Sequence, residues 1–385
     1  MRPSYPSLTP ARVHSTFRTL LHRHLPATDY KRSVTANQLL DLIVLIATTG
    51  RTLTAVVRAR FDFCHEIGRR ALHAFLPPQH QLTEHMADRL HAIADFSRRD
   101  RRRPWILAID THNVGYYGGR NTLGILGGQK KQGTSYFFVY ATAIRIHKRR
   151  RYTLGMLPQT QSMAPHLLVP TRLDPIRTRG ILIRGVVLDS GFDSADTLLL
   201  LQERGLSYTV PLRRKGTTTN RRNAAFLLPS GTITTRSWKS EKTHREVTTA
   251  VLVWRRSGEP RAKVFAFAGW GRQTAVSQHR RAWLARRRYR ERFGIETSYR
   301  QKNQSRGWTT SRNAAYRFLL EGLAQALRQL WVRLTLAISR ARGRNPNDWI
   351  GELPFVTLLD WLREFLQQKY PARYTIDLQK PANTR

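Results

Sequence analysis

Sulfur and acid are what this chain has least of. It holds a single cysteine, Cys64, in 385 residues. One thiol closes no disulfide within the chain and builds no cysteine-type zinc site, which excludes a disulfide scaffold and fits a reducing compartment. Acids are scarce as well: 25 Asp and Glu stand against 66 Lys and Arg, for a formal charge of +41. A cation of this size calls for a polyanion, and nucleic acid is the usual one. Long apolar runs are also missing. LLDLIVLIA (Leu39–Ala47) is well short of the ~20 residues a membrane-spanning helix needs, and MRPSYPSLTPARVHS has no apolar stretch of a signal peptide. The expectation is a soluble, cytoplasmic, nucleoid-associated protein of a prokaryotic cell, with no membrane partner. A small ribosomal or histone-like binder would be shorter and poorer in aromatics than a chain with 9 Trp and 13 Tyr.

Residues 1–97 read as helical, with apolar residues at helical spacing through Gln38–Thr48, Leu53–Phe61 and Ile67–Phe75. Gly50 separates the first two stretches and Thr52 is placed to cap the second. A helix, a glycine turn and a basic helix (TLTAVVRARF) make a candidate helix-turn-helix, or alternatively a plain packing bundle. A basic hinge, SRRDRRRP, follows at Ser97–Pro104. Beyond it the pattern turns to strands: WILAID (Trp105–Asp110), YFFVYATAIRI (Tyr136–Ile146), ILIRGVVLD (Ile181–Asp189) and SYTVPL (Ser207–Leu212), with a helix at Ser194–Gly205 before the last. This alternation indicates an α/β sheet with parallel members. Residues 213–270 are Thr-rich and alternating, as in an antiparallel β insertion. A long basic helix runs from Ser277 through Tyr299, a second from Asn313 to Ile338, and an amphipathic piece covers Pro354–Gln368. The expected domains are 1–97, 98–340 and a helical tail, 341–385.

With so few acids, their positions carry information. Asp110 and Asp189 each close a buried-type strand, and ligands of open α/β sheets gather at the carboxyl ends of strands. Two such acids repel unless a cation lies between them, and hard oxygen donors select Mg²⁺ or Mn²⁺. Taken singly, each also reads as an ordinary strand-end turn acid. Asp193 and Asp196 resemble a capping box and are assigned to structure. On a regular helix Tyr289, Arg292, Glu296, Arg300 and Asn303 share one face, either a working face or a solvated ion-pair stripe. Gly294, in mid-helix, suggests close approach of another backbone.

The strings DTHNVGYYG (from Asp110), KKQGTSYFFVYATA (from Lys130), LDSGFDSADTLLLL (from Leu188), YRERFGIETSYR (from Tyr289) and TTSRNAAYRFLLEGLAQALRQLWV (from Thr309) resemble insertion-sequence transposases of the DDE class. More narrowly they resemble the group with a Tyr–Arg–Glu–Lys signature. The resemblance implies a ribonuclease-H-like catalytic core interrupted by a β insertion. It implies Asp110, Asp189 and Glu296 as catalytic and metal-binding acids holding two Mg²⁺ or Mn²⁺ ions. It implies double-stranded DNA as partner (terminal inverted repeats and target) and a homodimer on DNA. Tyr289 and Arg292 match the signature residues that contact the DNA end. The signature Lys falls seven residues after the Glu, where this chain has Asn303; Arg300 and Lys302 are the nearby cations that could take its part. In some relatives a Trp of the insertion stacks on a displaced base, and Trp238, Trp254 and Trp270 are the candidates. The clusters Arg98–Arg103, Lys148–Arg151, Arg213–Lys215 and Arg286–Arg290 are expected to follow the DNA backbone. Two other readings stay open: a DNA-binding protein descended from a transposase that has lost catalysis, and a ribonuclease-H-fold nuclease that cuts without joining.

Overall fold

The structure is a computed structural model, and the residues described are 7–25, 27–147, 151–160, 164–216, 221–259, 261–270, 277–344 and 353–373. Five helices open the chain: α1 (Pro10–His24), α2 (Ala36–Thr49), α3 (Leu53–Arg60), α4 (His65–Phe75) and α5 (Gln79–Ala94). Thr9, Thr35 and Thr52 cap the first three, each accepting the amide three residues on. Gly50 ends α2 with φ +65°, a conformation that suits glycine, and α3 departs at 115°. A short helix, α6 (Arg98–Arg102), leads into strands β1 (Trp105–Tyr116), β2 (Ile125–Lys131), β3 (Thr134–Arg145) and β4 (Thr153–Pro158). Then come α7 (Pro165–Thr178), β5 (Ile183–Leu188), α8 (Ala195–Glu203), β6 (Ser207–Pro211) and three further strands, β7 (Ile233–Lys239), β8 (Glu246–Trp254) and β9 (Lys263–Ala268). The chain closes with α9 (Gln278–Arg292), α10 (Gly294–Asn303), α11 (Ala314–Ala341) and α12 (Phe355–Lys369).

These elements pack as two compact units. One is drawn from Met1–His85, Gln301–Trp331 and Ile350–Arg385, the other from Met86–Arg300 and Val332–Trp349. These bounds differ from the expected boundaries of 97 and 341 in that α12 packs with the opening helices. Leu358, Leu362 and Leu366, four residues apart, form its buried stripe, and α12 packs on α1 and α2. Each such leucine contributes about 1.5–3 kcal/mol of burial. A polar node adds direction: buried Asp41 of α2 accepts from Lys369 Nζ (2.6 Å) and Tyr370 Oη (2.9 Å) and pairs with His14 Nε2 (2.8 Å). The same unit holds Lys302 fully buried against the carboxylate of Glu321 on α11.

The second unit is built on one mixed sheet, ordered β2-β3-β1-β5-β6-β9-β8-β7, with β4 also paired to β3. β1 and β3 are antiparallel, whereas β1, β5 and β6 run parallel. Residues 213–270 do form antiparallel strands, and these join the sheet at β6 through β9 instead of standing apart. Gly185 lets β5 and β6 approach, since a Cβ there would collide with the Ser207 carbonyl. α9 lies on the sheet through Ala282 and Ala285 against Val187, Leu252, Phe267 and Trp270. α10 lies on β1 and β3 through Ile295 and Tyr299 against Ala108 and Ile144.

Candidate active site

Strand register brings two acids side by side. β1 pairs in parallel with β5 up to Ile109 opposite Leu188, so the next residues are Asp110 and Asp189. The expectation that both end strands holds for one of them. β5 stops at Leu188, but β1 runs on to Tyr116 because β3 keeps pairing with it, with Asp110 opposite Thr142. Asp110 is therefore a mid-strand residue, and its Oδ1 accepts the Thr111 amide at 2.9 Å. Asp189 caps a short 3₁₀ turn, Ser190–Phe192, and accepts the Ser190 amide at 2.6 Å.

A cation lies between them. Arg292, the last residue of α9, donates from Nη1 to Asp110 Oδ2 at 3.0 Å and sets Nη2 3.8 Å from Asp189 Oδ1. Its side chain is 7% exposed. Burial pushes the Asp110 carboxyl up to about 6; Arg292 opposes the rise and Asp189 adds to it. Burial acts to lower the Arg292 guanidinium, but Asp110, Tyr289 and Asp189 outweigh it and hold it above its ordinary value. Tyr289, raised by burial, packs on Phe265 (4.9 Å) and lies under the Arg292 guanidinium (5.4 Å).

The regular helix expected through Tyr299 is interrupted. At Phe293 the amide bonds back to Arg290 at 3.2 Å, tightening the turn, and α10 starts at Gly294. The Arg151 guanidinium occupies the space a Cβ at Gly294 would take, so a larger residue there would have to displace it. Arg292, at the end of α9, is buried, whereas Glu296, Arg300 and Asn303, on α10, are exposed. Glu296 lies exposed in the first turn of α10. Among the described residues no three His, Cys, Asp or Glu side chains converge as a metal site would require. Arg300 is exposed. Lys302, carried into this site by the resemblance, is instead 0% exposed and buried with Glu321, out of reach of a phosphate.

Two residues of the site escaped sequence reasoning. Tyr299 is buried at the Asp110 backbone, with its hydroxyl 2.5 Å from Thr142 Oγ1 and 3.5 Å from the Asp110 carbonyl. His112 stacks on it at 4.8 Å. Period-two alternation along β1 puts residue 112 on the face of Asp110 and was the available signal. Asp193 and Asp196 brace loops: Asp193 accepts the Arg213 amide (2.6 Å), and Asp196 accepts Ser240 Oγ (2.9 Å) and Thr243 Oγ1 (2.8 Å). The α8 cap itself is Ser194. Trp270 is a core residue, donating to the Tyr208 carbonyl at 2.7 Å, and Trp254 is covered by Arg286. Trp238, on β7, is half-buried. Of the basic clusters, Arg213–Lys215 are exposed, while residues 148–150 lie outside the described residues.

The described site is thus a pair of acids set by strand register against the last arginine of an arginine-rich helix. Residues 101–319, more than half of its length, match the family described as transposase DDE domain, and the chain belongs to that family. It is a DNA transposase, an enzyme acting on DNA, and its class generally depends on divalent metal. No curated protein matches it. Among solved structures it is similar to a piggyBac transposase synaptic complex with hairpin DNA, with a TM-score of 0.52 at 10% identity over 96% of this chain and 82% of that one.

Proposed function

We propose that the protein cuts and rejoins the ends of an insertion sequence, moving it by cut-and-paste. In this reading it belongs to the Tyr–Arg–Glu–Lys group, with a ribonuclease-H-like core in the second unit. Three antiparallel strands followed by two parallel ones, β1 beside β5, support that core. The observation that carries the reading is the pair Asp110 and Asp189, set side by side by strand register and neutralised by a cation.

This donor set suits Mg²⁺ or Mn²⁺: two hard carboxylates face one point, and that point already demands positive charge. Asp110 and Asp189 would hold the ions, with Glu296 as third ligand once it turns inward from the start of α10. Bound there, two ions supply an activated water or DNA 3′-hydroxyl and stabilise the leaving oxygen. The chain's residues do the rest. Arg292 leaves the carboxylates for a phosphate at the DNA end and thereby clears the site. Tyr289 supports the same phosphate. Tyr299 and Thr142 fix the Asp110 backbone. In the first unit, α3, held at 115° to α2, would read the terminal inverted repeats with its exposed Ala55 and Arg58. Joining two ends requires a dimer on DNA.

The test uses end-labelled duplex carrying the inverted repeats that flank the gene. Wild-type protein is expected to cleave it with Mg²⁺ or Mn²⁺ and to stop in EDTA. Asp110→Ala, Asp189→Ala and Glu296→Ala are each expected to abolish cleavage and keep DNA binding. Cleavage in EDTA, or by any one of these variants, would overturn the corresponding part.

A further inference from the structure

α9 has a second charged face, turned away from the carboxylates. Ala282, Ala285 and Arg292 point inward, while Trp283, Arg287 and Arg290 point out. Trp283 is 54% exposed, a large indole surface left in water. With Arg286, Arg287, Arg290 and Glu291 it lines a recess of about 480 Å³. Both arginines nearest a ring are already stacked: Arg287 lies 5.5 Å from the Trp283 ring, and Arg286 lies 3.3 Å from the Trp254 ring on β8. The one acid, Glu291, is shared between Arg287 Nε (3.5 Å) and Arg288 Nη1 (2.8 Å), so the face remains positive. Burial, reinforced by the like charge of Arg290 one turn on, lowers the Arg286 guanidinium.

An exposed indole among guanidiniums suits a ligand with both π-faces and phosphates. A closed duplex offers this face its phosphates but keeps its bases stacked inside, so the indole would gain little from it. An unpaired strand offers both. Trp283 stands nine residues before Arg292, roughly 13 Å along the helix at ~1.5 Å per residue. That axial separation equals the length of about four base steps at ~3.4 Å each.

Building on the DNA transposase reading, we infer that this face of α9 is a stacking subsite for unpaired nucleotides of the DNA strand leaving the Asp110–Asp189 centre. Trp283 takes a base, and Arg286, Arg287 and Arg290 take the phosphates beside it.

The probe is a fluorescently labelled 12-nucleotide oligo-dT, compared by anisotropy with a duplex of equal length. Full-length wild type, Trp283→Ala, Trp283→Phe and Arg287→Ala are each tested. Loss of one stacked base weakens binding about 5- to 160-fold, from ~1–3 kcal/mol per base. Trp283→Ala is expected to lose that much for oligo-dT and less than about twofold for the duplex, with most of the loss recovered by Trp283→Phe. Arg287→Ala is expected to weaken both. Unchanged oligo-dT affinity in Trp283→Ala, equal loss for both probes, or tighter binding of oligo-U than oligo-dT would each overturn the subsite. Cleavage of the element end is run in parallel. A Trp283→Ala protein that cleaves but binds oligo-dT normally sinks the subsite alone, whereas an Asp110→Ala protein that cleaves sinks the catalytic reading.

Discussion

On the proposed reading Arg292 sits where a divalent ion would bind, and a guanidinium and a metal cannot share the point between Asp110 and Asp189. Metal should therefore bind more tightly when Arg292 is removed or drawn away. Electron paramagnetic resonance of free Mn²⁺ is expected to show higher affinity for Arg292→Gln than for wild type without DNA, and a wild-type gain when the DNA end is added. Equal Mn²⁺ affinity in both proteins, with and without DNA, would show that the arginine guards nothing. Asp110, pushed up to about 6, adds a sign: a proton competes with metal below that value, so Mn²⁺ binding weakens as pH falls through about 6. Lys302 belongs to stability. Lys302→Ala leaves Glu321 buried without its cation, which costs on the order of 3–5 kcal/mol. Thermal melting reads this directly, whereas Arg300→Ala, at an exposed site, is expected to melt like wild type and lose end cleavage.

Among elements, α5 carries a pH response of its own. His91 is 8% exposed beside the Leu154 carbonyl (3.1 Å), and burial, helped by Arg179, pushes it down to about 4. The unfolded chain takes up a proton near the ordinary value of 6.5 and the folded one does not until about 4. Stability is therefore lost on acidification between those values, by on the order of 3 kcal/mol at ~1.36 kcal/mol per pH unit. His91→Gln should flatten that slope in denaturant titrations; an unchanged slope places the response elsewhere. How well each element could be read from sequence depended on its local signal. β1, β3, β5 and β6 were legible as dense β-branched and aromatic runs, α2 and α3 by their period, and α3 also by its Thr52 cap. α7 was not, because Pro170 and Pro175 interrupt its pattern. β2, with Gly127 and Gly128 and three polar residues, looks like a turn and is a strand only through β3. Asp189 was legible because a strand end is a local feature; that β1 runs on past Asp110 was not, because the continuation depends on pairing with β3. The break at Phe293 was not legible either, because a single tightened turn between two helical stretches leaves no mark in the residue pattern.

For the molecule as a whole, +41 predicts binding governed by counterion release. Affinity for any duplex should fall steeply and linearly on a log–log salt plot, while the ratio of specific to random DNA changes far less. A flat salt response would mean that the excess charge does not face DNA. The unit boundaries were hidden from sequence because they rest on contacts between chain ends. Nothing local announces that Lys369 and Tyr370 meet Asp41. Asp41→Asn is expected to lower the melting temperature of the full chain and to expose α12 to protease first; an unchanged cleavage pattern would show that the leucine stripe alone holds it. The continuation of β1 past Asp110 has one more consequence. Asp110 is stitched to β3 by its own backbone, Asp189 caps a short turn, and Glu296 follows a helix break. On the proposed reading, an enzyme that hydrolyses one strand and then joins it to another would re-aim its ligands between steps. Asp189 and Glu296, set on a turn and at a helix start, would do the re-aiming, and Asp110, held within a paired strand, would be the fixed origin.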